Sequence, residues 1–244
     1  MYDRPMTAPG RTSPILDVRT AASEWRPQQI SEISSGGVLD PIIEPLWTGL
    51  RVLAVIDGDT VELRDLDGDV VEEFEPVETA LAEAGRAGRL LIDGYLTHQV
   101  LQPIGNIAKR EIAERQQNAP TMGQLWFGSF ARRRSRQPKQ PVAELGRDPV
   151  PPDDEVAFVA VDLLWLDDES VLDVPLLERK RILESVLGES RLVRRGTYVH
   201  PPVDPWISSW RAFGFSRMVY KGANSRYVPG ETSPHWAVAD LPSR

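Results

Sequence analysis

The 244 residues, 41% apolar and 26% charged, are enough for one large domain or two small ones with a real core. A net charge of −8 argues against a surface that holds nucleic acid by its overall field, because phosphate binding is mostly neutralisation by Lys and Arg. With no cysteine, and with His98, His200 and His235 far apart in the chain, disulfides and thiolate metal sites are excluded and no zinc site is expected. No run approaches the roughly 18 apolar residues of a membrane span, and Met1 to Arg11 has no signal-like apolar core. A cytoplasmic protein without membrane contact is expected.

In chain order, residues 1–37 are rich in Pro, Ser, Thr and Gly and read as a poorly ordered or draped arm, with one short amphipathic stretch around Ala21 to Ile33. From Val38 the texture changes. Gly49 to Val55 and Thr60 to Leu63 are β-like runs joined through Asp57-Gly58-Asp59, a hairpin turn signal, and Asp67-Gly68 marks another turn before Val70 to Phe74. Val77 to Ala87 has helical spacing and stops at glycines. Arg89 to Leu96 reads as a strand.

Residues 97–152 form the least regular region: a polar helix over Ile107 to Gln117, an aromatic run over Gly123 to Phe130, and a basic cluster of Arg132, Arg133, Arg134, Arg136 and Lys139. Val156 to Trp165 is a strongly apolar strand. Val174-Pro175 opens a helix to about Leu187, with Glu178, Arg179, Lys180 and Arg181 predicted to face solvent. Arg191 to His200 alternates like a strand, Pro205 to Phe213 is a short helix packing Trp206 and Trp210 into the core, and Met218 to Lys221 and Trp236 to Leu241 end the series. The order gives an α+β fold of mostly antiparallel sheets flanked by helices.

One stretch carries more than fold class. Glu44-Pro45-Leu46-Trp47-Thr48-Gly49-Leu50-Arg51 resembles the Glu-Pro-Lys-x-Asp-Gly-x-Arg signature of bacterial ATP-dependent DNA ligases, whose lysine attacks the α-phosphate of ATP. Further matches follow in the family's order. Leu91-Ile92-Asp93-Gly94 is similar to Leu-x-Asp-Gly-Glu, with Tyr95 in place of the glutamate. Val161-Asp162-Leu163-Leu164-Trp165-Leu166 is similar to the strand whose aromatic stacks on adenine, with Val161 at the aromatic position. Asp173 to Arg181 resembles the Leu-x-x-Leu-Pro-Leu-x-x-Arg helix, the most specific part of the likeness. Ser216 to Lys221 stands on Glu-Gly-x-Val-x-Lys and keeps only Lys221 of its charged pair, while Trp236 to Asp240 stands on Trp-x-Lys-x-Lys with neither lysine. An arginine of the early hairpin falls on Leu66.

The resemblance implies an ATP-grasp-like nucleotidyltransferase fold over residues 38–244, with an irregular insertion at about 97–152. Because the chain stops at Arg244, just past the last motif, no OB-fold domain is expected. Pocket residues that match the family are Glu44, Gly49, Arg51, Asp93, Gly94 and Lys221. The nucleophile position is Leu46, which has no lone pair to activate, so no catalytic residue is assigned. Loss of the cationic lining and of the carboxylates that would place Mg²⁺ removes the reason to expect ATP, Mg²⁺ or any other cofactor.

The leading reading is a degenerate ligase-like domain without covalent adenylation, a binding or scaffold module with DNA or a DNA-repair protein as partner. Two alternatives stand beside it. One is a working ATP-dependent ligase with a rearranged site that uses ATP and Mg²⁺. The other is a nucleic-acid-binding module that contacts phosphate through Arg132, Arg133, Arg134 and Arg136.

Overall fold

Two twisted sheets, stacked face to face, organise the chain. The computed structural model describes residues 17–31, 35–99, 141–153 and 155–242. The expected helix at 107–117, the aromatic run at 123–130 and the basic cluster Arg132, Arg133, Arg134, Arg136 and Lys139 lie outside the described residues.

The larger sheet follows from the two most apolar runs in the sequence. Strands β3 (Leu50–Asp57) and β4 (Thr60–Arg64) pair antiparallel across the two-residue turn Gly58-Asp59, where Gly58 takes φ +59°. A positive φ costs a glycine nothing, and such turns match the strand twist. Strand β5 (Arg89–Thr97) pairs with β3, and β6 (Ala157–Leu166) pairs with β5. The short β7 (Glu169–Ser170) and β8 (Val193–Arg195) flank β6, giving six strands in all. The smaller sheet has the order β1 (Gln29–Ser31), β10 (Thr232–Asp240), β9 (Arg217–Gly222), β2 (Pro41–Pro45).

Alternation along β3 and β5 divides the side chains between two faces. Val52, Ala54, Ile56, Leu90, Ile92 and Leu96 point to one face of the larger sheet. Helices α2 (Glu75–Ala84) and α3 (Leu176–Val186) cover it through Val77, Leu81 and Leu183. Leu53, Val55 and Leu91 point the other way, towards Val219 and Trp236 of the smaller sheet. Strand β6 breaks the alternation twice: its register with β5 skips Val161 and Leu164. Each bulge turns two consecutive residues to the same side, so Val161 and Asp162 both face the smaller sheet.

The described part of the N-terminal stretch is ordered packing, not a draped arm. Helix α1 (Val18–Glu24) is capped by Asp17, whose carboxylate accepts from Thr20 N at 2.7 Å. It buries Val18, Ala21 and Ala22 between the sheets, and β1 adds a parallel edge to β10. The Pro and Ser content hid a helix of only seven residues. Other differences are local. Val70 to Phe74 makes one bridge, Val70 to Arg64, in place of a strand. Of the run 191–200 only β8 forms a strand, with Val199 adding a single bridge to Ile43, and β2 is too short and Pro-flanked to stand out in the sequence. Helix α4 (Asp204–Ala212) buries Trp210 but leaves Trp206 40% exposed. Among the described residues no helix is long and apolar enough to cross a membrane.

Candidate functional site

Between the sheets lies the cleft that the motif residues define. Leu46 follows β2, its N–H donating to Arg217 O at 3.0 Å, which ties the stretch after the strand to β9. The cleft is lined by Glu44, Leu46, Trp47, Arg51, Tyr95, Val161, Lys221 and Trp236 among others. Leu46, Tyr95 and Val161 are buried in it, at 5%, 5% and 3% exposure. What remains is a cavity of about 10 Å³ for the centres of water-sized spheres, room for about one water molecule. Nucleotide-sized ligands need pockets of roughly 300 Å³ or more.

Around this apolar plug runs a buried charged network. Arg51 grips Asp93 with two hydrogen bonds, Nε to Oδ1 at 2.9 Å and Nη2 to Oδ2 at 2.6 Å. Tyr227 Oη donates to the same Asp93 Oδ2 at 2.8 Å and accepts from Gln28 N. Arg179 holds Asp162 in the same forked way, both contacts at 2.8 Å, and donates as well to the carbonyls of Val174 and Ser225. Forked guanidinium–carboxylate pairing is the geometry that makes a buried pair tolerable.

Glu44 is different, because one carboxylate serves two amines. Lys221 Nζ donates to Oε2 at 3.0 Å, and Lys180 Nζ lies 2.7 Å from Oε1, a close ion pair whose angles fall outside good hydrogen-bond geometry. Lys221 also lies 4.5 Å from the centre of the Trp236 ring, a cation–π contact. Burial pushes the Glu44 carboxyl up, but Lys180 and Lys221 outweigh it and hold it below the usual range. Burial and Arg179 act on Asp162 in the same opposed way, with the same outcome. Lys221 goes down, because burial and neighbouring Lys180 outweigh the attraction of Glu44.

The family-matching positions thus separate. Glu44, Arg51 and Lys221 line the cleft, and Asp93 supports it through Arg51. Gly49 and Gly94 serve the backbone: at Gly49, with φ +120°, a Cβ would lie 2.2 Å from Leu96 O, and at Gly94 a Cβ would lie 2.3 Å from the Phe158 ring. Thr48 bonds to Gln99, Ser216 and Asp240 are exposed, and Val238 packs against the apolar cluster between the sheets. No group of three or more His, Asp or Glu converges as a metal site among the described residues.

Lys221 is 4% exposed on β9, between β10 and β2. One sequence expectation is corrected here. Of the four charged residues predicted to face solvent on α3, only Glu178 and Arg181 do, paired with each other; Arg179 and Lys180 are 0% and 2% exposed. A signal existed. Leu176, Arg179, Lys180 and Leu183 stand at i, i+3, i+4 and i+7, the buried stripe of a helix, and two cations there imply buried carboxylate partners.

No family model matches the chain. In sequence it is 30% identical over 202 residues to a probable DNA ligase of Streptomyces coelicolor, covering 80% of this chain and 34% of that protein. It is 26% identical over 194 residues to the multifunctional non-homologous end joining DNA repair protein LigD of Mycobacterium tuberculosis, covering 79% of this chain and 20% of LigD. The chain is a homologue of the LigD ligase domain. Its fold is that of the ligase nucleotidyltransferase domain: it superposes on the crystal structure of the M. tuberculosis LigD ligase domain with a TM-score of 0.56 at 20% identity, covering 89% of this chain and 60% of that one. A structure of mycobacterial DNA ligase D complexed with ATP and MES gives the same values. The chain therefore spans about a third or less of the ligase-like curated proteins it matches.

Proposed function

We propose that this ligase-like domain does not form a lysine–AMP adduct and acts as a non-catalytic module in DNA repair. The observation that carries the reading is the plugged cleft, where Leu46, Tyr95 and Val161 leave about 10 Å³ where a nucleotide would have to lie. Chemistry points the same way. A nucleophile must be held roughly 3 to 3.5 Å from the phosphorus it attacks, and Leu46 offers no lone pair there. Among the described residues, the lysines of the site are Lys180 and Lys221, and both are engaged by Glu44. A phosphate reaching either amine would have to displace that carboxylate, leaving a buried charge unpaired.

The repair setting rests on homology to LigD, a non-homologous end joining protein by name, and to a probable DNA ligase. The partner is DNA or a DNA-repair protein, and Arg132, Arg133, Arg134 and Arg136 are the candidate phosphate contacts. The test is incubation with α-labelled ATP and Mg²⁺, then denaturing electrophoresis. No label should stay with the polypeptide; an acid-labile labelled band would restore the active-ligase reading.

A further inference from the structure

A second cavity, of about 220 Å³, lies between the start of β1, the turn at 65–69 and the 3-10 turn Val142–Glu144. It shares only Ile30 and Arg51 with the plugged cleft, and three arginines line it: Arg26, Arg51 and Arg147. Arg51 is already committed to Asp93. Arg26 is not: its Nη1 donates to the carbonyls of Ser23 and Trp25, both at 2.8 Å, and among the described residues no carboxylate lies within ion-pair distance of it. The guanidinium lies over Gly68, where a Cβ would come within 2.1 Å of Nη2, so the turn glycine, at φ +90°, makes room for it.

Arg147 is held by the single acid of the lining, Asp67, through contacts of 2.6 and 3.0 Å. That pair is half-exposed on both sides, a class worth little in solution and readily exchanged for another anion. Beside these charges and Gln29, Ile30, Leu66, Val142 and Leu145 form an apolar part of the wall. Guanidiniums fork onto phosphate oxygens through paired N–H groups, and an apolar wall beside them favours a ligand with a body to bury.

We propose that this cavity binds a phosphate monoester carried on a small apolar or aromatic body, gripped by Arg26 and Arg147 and seated against Leu66 and Leu145. Neither Arg26 nor Arg147 belongs to the ligase-like motifs, and the site is independent of whether the cleft between the sheets takes a nucleotide. The phosphate could belong to a free small molecule or to the end of a nucleic-acid strand; the chemistry of capture is the same.

The test uses the full chain and follows phenyl phosphate binding by ³¹P line broadening, with phenol, followed by ¹H line broadening, as the uncharged control. Phenyl phosphate should bind and phenol should not. Arg26→Gln and Arg147→Gln should each weaken binding by about tenfold or more, the loss of a charged hydrogen bond. Arg147 is half-exposed, so its variant keeps the fold and the test stands even if the Arg26 variant does not. In a second arm, a 5′-phosphorylated oligonucleotide is compared with its 5′-hydroxyl form. Preference for the phosphorylated strand, lost in the same variants, assigns the ligand to a strand end; binding of phenyl phosphate without that preference assigns it to a free ester. No binding of either phosphate, or binding unchanged in both variants, overturns the proposal.

Discussion

The two faces of the six-stranded sheet use the same strands in opposite ways. Beneath α2 and Leu183 of α3 the face is an apolar cluster that runs from Val52 through Leu81 to Val193. Facing the smaller sheet, the same strands bury Asp93 and Asp162, which together with Glu44 of β2 lie among Arg51, Arg179, Lys180 and Lys221. The first face needs only volume. The second needs each charge to have its partner, since an unpaired buried ion costs several kcal/mol. In this chain Leu46, Tyr95 and Val161 are buried in the cleft between the sheets, and the charged side chains around them are paired with one another.

The sharpest way to separate the faces is to remove one partner on each. Arg179→Ala leaves Asp162 buried without its cation and should cost about 3 to 5 kcal/mol in urea unfolding. Leu81→Ala should cost about 2 to 5 kcal/mol through the cavity it leaves. The discriminating result is the rescue: replacing Asp162 and Arg179 together by apolar residues of similar volume should recover most of the first loss, because it removes the unpaired charge. A double variant no more stable than Arg179→Ala alone would mean that the pair contributes through packing.

A smaller effect should appear in acid. Glu44 and Asp162 are both held below their usual values of 4.5 and 3.8 in the folded state. The unfolded chain therefore takes up these protons first, so the stabilisation is complete above those values and is lost as pH falls through the lower, folded ones. Unfolding free energy should be level down to about pH 5 and drop below it, and Glu44→Gln should flatten part of that limb. An acid limb identical in this variant would remove Glu44 from the explanation. Smallest of all should be Arg226→Ala, which breaks an ion pair with Asp173 exposed on both sides, 63% and 93%. Its cost should stay within about 1 kcal/mol, and a larger one would show that surface charge shares the burden assigned to the interior.

Much of this was legible beforehand. The helix-covered face writes itself into the sequence as alternation and helical spacing, so β3, β4, β5, β6 and both covering helices were placed within a few residues. The ligase-like order of motifs carried the fold. What stayed hidden were partnerships between distant residues: Lys180 and Lys221 meet Glu44 across 136 and 177 positions, a distance at which periodicity is silent. Charged residues on α3 were read as solvated because charge is usually outside, and here the buried carboxylates Asp162 and Glu44 reverse the rule. The N-terminal packing was hidden for another reason: α1 is a seven-residue helix in a Pro-rich setting, too short to announce itself.

The account turns on whether the cleft between the sheets can admit a nucleotide. Thermal unfolding of the purified chain with and without millimolar ATP and Mg²⁺ tests this directly, since any ligand that binds only the folded state must raise the melting temperature. The plugged cleft predicts superimposable curves. A melting temperature that climbs with ATP concentration, and stops climbing when Leu46 and Tyr95 are replaced by bulkier residues, would contradict it.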